Sequence, residues 1–89
     1  MASVQDIPVS QLRFKEDHAP IVPVDLIDSI QLLGILNPLL VIQCDDCVRV
    51  YIGNQRLAAA QKLGMGSVPC RFVNSQEEVE AALADYRDP

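Results

Sequence analysis

Helices and short strands follow one another along this 89-residue chain, the pattern of one small α+β domain. Three observations carry that expectation. Residues 24–33 repeat their apolar side chains at helical spacing. Residues 39–42 form an unbroken apolar run, and an alternating segment follows at 48–52. The segment ending Tyr51-Ile52 then passes through one glycine, Gly53, straight into an alanine-rich helix that begins Asn54-Gln55-Arg56.

Taken in order, Ile7-Pro8-Val9 reads as a short extended segment leading to Leu12 and Arg13. Residues 15–23 hold two prolines, His18 and three charges, which predicts a loop. Over 24–33, Leu26, Ile27, Ile30 and Leu33 share one helical face, while Asp25, Asp28 and Gln31 fall elsewhere. Gly34 is a natural stop. Ile35-Leu36-Asn37-Pro38 is a connector, because Pro38 disfavours helix in the residue before it. The 39–42 run predicts a strand buried on both faces. Residues 44–47 make a turn, and 48–52 return with Val48, Val50 and Ile52 on one face.

The second helix is expected over 54–63, ending at Gly64, and Ala58-Ala59-Ala60 permits close packing on a sheet. Residues 68–73 read as another strand, placed by Pro69 at an edge or a strand start. Ser75-Gln76-Glu77-Glu78 fits a capping box. It opens a last helix over 75–87 with Val79, Ala82, Leu83 and Tyr86 on one face, and the final residues are expected to fray. No repeat or internal boundary interrupts the chain, so residues 1–89 read as one domain.

Composition narrows the function classes. The chain is 49% hydrophobic with two Phe, two Tyr and no Trp, so aliphatic residues must build the core. No apolar run approaches the roughly 18 residues that a membrane span requires. The N-terminal residues do not follow the pattern of a secretory signal. A cytoplasmic location without a membrane partner is the default expectation. The net charge of -5 argues against a surface that binds nucleic acid non-specifically. The charges are unevenly spread. Residues 47–76 contain no acid but hold Arg49, Arg56, Lys62 and Arg71, which suits a small anion better than a long polyanion. Solvated surface is the plainer reading of the same four residues.

Cys44, Cys47 and Cys70 make an odd count, against a disulfide framework. Cys44-Asp45-Asp46-Cys47 has C-x-x-C spacing, but a zinc site needs four ligands and the single histidine, His18, is distant. Structural thiols and no metal site are expected. Asp45 and Asp46 read as turn residues, and His18 as an exposed loop residue without a catalytic role.

The start of the second helix carries the chemistry. A helix N-terminus has partial positive charge and unpaired N–H groups. A cation there, Arg56, is unfavourable unless an anion shares the terminus, and phosphate is the natural one. Gly53 lets the backbone come close to it. Each residue has a plainer alternative: Gly53 as a tight turn, Arg56 paired with an acid from the N-terminal half, Ser29 bonded within its own helix, Asn37 capping the loop before Pro38.

A helix ending Asp28-Ser29-Ile30, then Gly34-Ile35-Leu36-Asn37-Pro38-Leu39-Leu40-Val41, then Tyr51-Ile52-Gly53-Asn54-Gln55-Arg56-Leu57-Ala58-Ala59-Ala60, Leu63-Gly64 and Val68-Pro69, resembles the ParB/sulfiredoxin superfamily. The likeness is to the stand-alone ParB-like N-terminal (ParB-like nuclease) domain and is strongest over residues 7–73. It implies a compact domain, a small mixed sheet packed with about three helices, that binds a nucleotide. By that resemblance Gly53, Asn54, Gln55 and Arg56 cradle phosphates with help from Ser29, while Asn37, Pro38 and Arg13 lie near the nucleotide. Family members that hydrolyse CTP usually carry Gly-Glu-Arg-Arg where this chain has Gly53-Asn54-Gln55-Arg56. Sulfiredoxins place their nucleophilic cysteine where Asn54 stands. Asn54 and Gln55 can still donate N–H bonds to phosphate, so binding is better supported than hydrolysis.

The expected ligand is a nucleoside triphosphate or diphosphate, with Mg²⁺ as an optional companion. Weak NTPase or nuclease activity is left open, with no catalytic residue identified. Partition proteins of this superfamily continue into a DNA-binding domain for which 89 residues leave no room. DNA binding through this domain alone is therefore not expected, and the resemblance is to domains of phage and mobile-element proteins. The alternative is a non-enzymatic interaction or regulatory module that keeps the fold without the ligand and meets a protein partner or a second copy of itself.

Overall fold

Leu39, Leu40 and Val41 are wholly shielded from solvent, and the fold is arranged around the strand that carries them. The computed structural model describes residues 4–16, 18–74 and 76–85. The elements are β1 (Val4–Pro8), a 3₁₀ turn (Val9–Gln11), β2 (Leu12–Arg13), α1 (Val24–Leu33), β3 (Leu39–Gln43), β4 (Val48–Ile52), α2 (Asn54–Lys62), β5 (Ser67–Phe72) and α3 (Gln76–Asp85). The sheet order is β1-β5-β3-β4-β2. β3 pairs antiparallel with β4 and parallel with β5, while β1 and β2 form the edges. The class is α+β with a mixed sheet.

The central place of β3 explains its composition. Leu39 and Val41 join the main core with Ile7, Leu12, Val48, Val50, Val68 and Cys70. Leu57 and Ala60 of α2 close that core. Leu40 points into a second cluster with Val73 and Val79 of α3. Alternation along a strand with helices on both faces yields a continuous apolar run. α2 also packs against α1, so its run of buried alanines lets both the sheet and a helix approach closely.

Three expectations are corrected. In the first, Val48 and Val50 face the main core, but Ile52 packs with the second cluster. Val41 stands opposite Val50, whereas Leu40 stands opposite Ile52. Tyr51 is therefore an extra residue on β4, a β-bulge that turns Ile52 to the other face. The second concerns Leu33, which is 58% exposed. Ile30 is the buried residue of α1, with Leu26 and Ile27 partly covered, because contact with one neighbouring helix covers only a narrow stripe. In the third, the edge alternative for Pro69 fails, because β5 is an interior strand, while its place near the strand start holds. Pro69 pairs in register with Asp6 of β1, and the ladder with β3 opens only at Cys70.

The end of α3 is only partly described. The capping role expected of Ser75, the shared face expected of Ala82, Leu83 and Tyr86, and the fraying of the last residues lie outside the described residues and side chains. The Glu78 carboxylate does reach back, accepting the backbone N–H of Asn74.

Candidate phosphate and nucleotide site

One cavity of about 460 Å³ opens where α1, the connector behind it and the start of α2 converge. α1 contributes Leu26, Ser29 and Ile30. The connector contributes the stretch from Gly34 to Asn37, and α2 contributes the turn from Gly53 to Arg56. Its volume lies in the range of small-ligand sites.

Each wall has a local cause. α1 starts at Pro23, whose carbonyl accepts the N–H groups of Leu26 and Ile27. It stops at Gly34, whose N–H donates to the carbonyl of Ile30 at 2.8 Å with φ at 77°. That stop turns residues 35–37 across the mouth of the cavity. Ile30, 5% exposed, anchors the helix and leaves Ser29 on the open side.

Gly53 holds φ at 106°, a left-handed conformation suited to glycine. A Cβ at Gly53 would lie 2.8 Å from Cγ of buried Leu39 and 3.4 Å from an Nη of Arg56. β4 ends at Ile52, just before this turn, and α2 begins without a side-chain cap. Its first backbone N–H groups therefore have no capping side chain, and the helix dipole supplies positive potential there.

Of the residues expected at the site, Gly53, Asn54, Gln55, Arg56, Ser29 and Asn37 all line the cavity. Pro38 does not; it stands behind Asn37 at the entry to β3. Arg13 is placed elsewhere. It pairs in register with Arg49 at the far end of β4 and lines a separate cavity with Gln43 and Asp46. Arg49 and Ile52 lie toward opposite ends of β4, and Arg13 is not among the residues lining the cavity at the Gly53 turn.

The four basic residues also disperse. Arg49 donates to the carbonyl of Phe14 at 2.8 Å, Lys62 lies in the last turn of α2, and Arg71 stands opposite Val4 and Leu40. Arg56 alone of these lines the cavity.

Sequence reading did not find the loop contacts of Asn54 and Gln55. Asn54 Oδ1 accepts the backbone N–H of Lys15 at 2.9 Å. Gln55 Nε2 donates to the carbonyl of Ile21 at 3.3 Å. The Lys15 ammonium lies 4.2 Å from the centre of the Tyr51 ring, a cation–π contact. The loop leading into α1 is thus tied to the helix start and to β4. The apolar wall of Leu26, Ile30, Ile35 and Leu36 was also missed as part of a site, since each residue reads individually as core or connector.

The thiols lie away from the cavity. Cys44 N–H donates to the carbonyl of Cys47 at 2.9 Å, closing the hairpin. Cys70 is fully buried, and burial, with a smaller contribution from nearby Asp6, pushes its thiol up to about 11. Asp45, Asp46 and His18 are exposed.

The family model for the ParB N-terminal domain matches residues 1–85. The chain belongs to the ParB N-terminal domain family. No curated protein matches this ParB N-terminal domain. Solved structures share its fold. Sulfiredoxin from Arabidopsis thaliana is 24% identical, with a TM-score of 0.70 over 91% of this chain and 97% of that one. C-terminally truncated ParB from Caulobacter crescentus, complexed with CTP-gamma-S, is 23% identical, with a TM-score of 0.71 over 98% of this chain and 56% of that one. A mutant free serine kinase in complex with AMP is 26% identical, with a TM-score of 0.65 over 81% of this chain and 31% of that one. This ParB N-terminal domain therefore spans about half of the Caulobacter protein's chain and under a third of the kinase's. Among the described residues no helix is long and apolar enough to cross a membrane.

Proposed function

We propose that this domain binds a nucleotide in the cavity between α1 and α2. The observation that carries the reading is that an uncapped helix start and the residues Arg56, Ser29 and Asn37 line one cavity. The phosphate sits at the Gly53 turn, where backbone N–H groups and Arg56 meet its oxygens and Ser29 adds a donor. Gly34, at the C-terminal end of α1, lines the same cavity, and that end carries partial negative charge. Opposite helix ends therefore suit a ligand with an anion at one end and hydroxyl or amine donors at the other. The base and sugar lie against Leu26, Ile30 and Leu36, with Asn37 reading a polar edge. Structural relatives solved in complex with CTP-gamma-S and with AMP support a nucleotide as the class of ligand.

Binding without turnover is the reading for this chain. Among the described residues lining the cavity there is no carboxylate or imidazole to serve as a general base. Thermal melting against CTP, ATP, GTP and ADP, with and without Mg²⁺, tests the reading. A ligand at about a hundred times its Kd adds roughly 2.7 kcal/mol, a shift of several degrees in a domain of this size. Arg56→Ala should abolish the shift while keeping the native circular dichroism spectrum. Flat curves for the unaltered protein would leave the interaction-module alternative. Phosphate release above background would contradict the non-hydrolytic reading.

A further inference from the structure

We propose that Cys44 and Cys47, which stand opposite each other where β3 turns back into β4, form a reversible dithiol–disulfide pair that exchanges with low-molecular-weight disulfides of the glutathione class. The register of the hairpin places them. Ile42 pairs with Arg49 and Gln43 with Val48, so the next step of the ladder sets Cys44 against Cys47. The Cys44 N–H donates to the Cys47 carbonyl at 2.9 Å, which fixes that step. The Gln43 side-chain amide donates to the carbonyls of both cysteines, at 2.9 and 3.2 Å, and ties the two backbones together. Standard bond lengths, added to the 2.9 Å contact, hold the two Cα atoms within about 7 Å. A disulfide reaches across separations up to that limit. Directly opposite residues of an antiparallel pair also share a face of the sheet, with Cα atoms about 5.5 Å apart where they are hydrogen-bonded.

The pair is open to a reagent. Both thiols are free and only partly buried, and Asp45 and Asp46 between them are exposed. Cys47 also lines a cavity of about 260 Å³ with Arg13 and Asp46, which leaves space beside it. Cys70 is fully buried and stands as the unreactive reference. In the exchange, one cysteine attacks a sulfur of the small disulfide as its thiolate, that S–S bond breaks, and one small thiol leaves. The second cysteine attacks the protein sulfur of the mixed disulfide, forming the Cys44–Cys47 bond and releasing the second small thiol. Two electrons pass from the protein to the reagent, and the two cysteine protons end on the released thiols. The bond closes only residues 44–47, and chain entropy favours a short loop least. Such a bridge is readily reduced again, which suits a sensor better than a structural staple.

Equilibration of the full chain in glutathione buffers from wholly reduced to wholly oxidised, followed by acid quenching, alkylation and peptide mass mapping, tests the proposal. The oxidised protein should be lighter by two hydrogen atoms, with the bridge in the peptide that carries residues 44–47 and Cys70 alkylated only after unfolding. Return to reduced glutathione should restore both thiols. Cys44→Ser and Cys47→Ser, at partly exposed positions, should instead accumulate a mixed disulfide on the remaining cysteine, about tenfold or more above the native level, because the intramolecular partner that resolves it is gone. Four results would overturn the proposal: a dithiol that survives pure glutathione disulfide, a bridge between two copies of the chain, as much mixed disulfide in the native protein as in the variants, or a bond that millimolar reduced glutathione leaves closed.

Discussion

Gly53 joins packing to function in one residue. The space its missing side chain leaves is filled by Leu39 Cγ, so the turn that exposes the start of α2 is locked to the centre of the core. Gly53→Ala combines an unfavourable left-handed φ with a steric overlap against a buried leucine. It should cost about 2 kcal/mol or more, read as a lower urea midpoint with an unchanged m-value. Cys70 gives a second residue-scale test. Its thiol titrates near 11 in the fold against 9.0 for an ordinary cysteine. A raised acid pKa means that the folded state holds its proton longer than the unfolded chain does. The associated stability is complete below pH 9.0 and is lost as pH rises toward 11. The difference in stability between the native protein and Cys70→Ala should therefore shrink across that interval in urea melts. Gly53 and Arg56 were legible in the sequence because a strand, a glycine and a helix start are local signals. The bond from Asn54 to Lys15 spans 39 positions, and no local pattern announces a contact of that range.

At the scale of elements, the order of strands and helices was readable, and so were most boundaries, because hydrophobic period and glycine stops are written locally. The bulge on β4 was not. Val48-Arg49-Val50-Tyr51-Ile52 alternates without a flaw, and only its pairing with β3 adds the extra residue that turns Ile52 over. The loop between β2 and α1 is held by side chains from two elements at once, Arg49 of β4 and Asn54 and Gln55 of α2. Asn54→Ala should remove a hydrogen bond worth about 0.5–1.5 kcal/mol. The backbone amide of Lys15 should then exchange with solvent roughly two- to tenfold faster, while amides of β3 keep their protection.

Across the whole molecule, the core is split by the sheet. One cluster lies under α2 and a smaller one under α3, and the cavity opens on the α2 side. The apolar residues Leu32 and Leu36 are 82% and 74% exposed. Leu32→Ser alters a largely exposed side chain and should change stability by less than about 0.5 kcal/mol, measured by urea unfolding. Charge at this scale was only half legible. The acid-free stretch was plain in the sequence, but the sheet carries Arg71 away from the cavity and gives Arg49 to the loop. A cluster in one dimension became a single cation in three.

The stacking of Lys15 on Tyr51 has an optical consequence. The chain contains no tryptophan and only two tyrosines, so nothing brighter masks phenol emission. In a Tyr86→Phe background, Tyr51 is the sole source of tyrosine emission, with an ammonium group resting on its ring. Any ligand that lifts the preceding loop exchanges that ammonium for water, and the domain's own ultraviolet glow becomes a label-free gauge of occupancy.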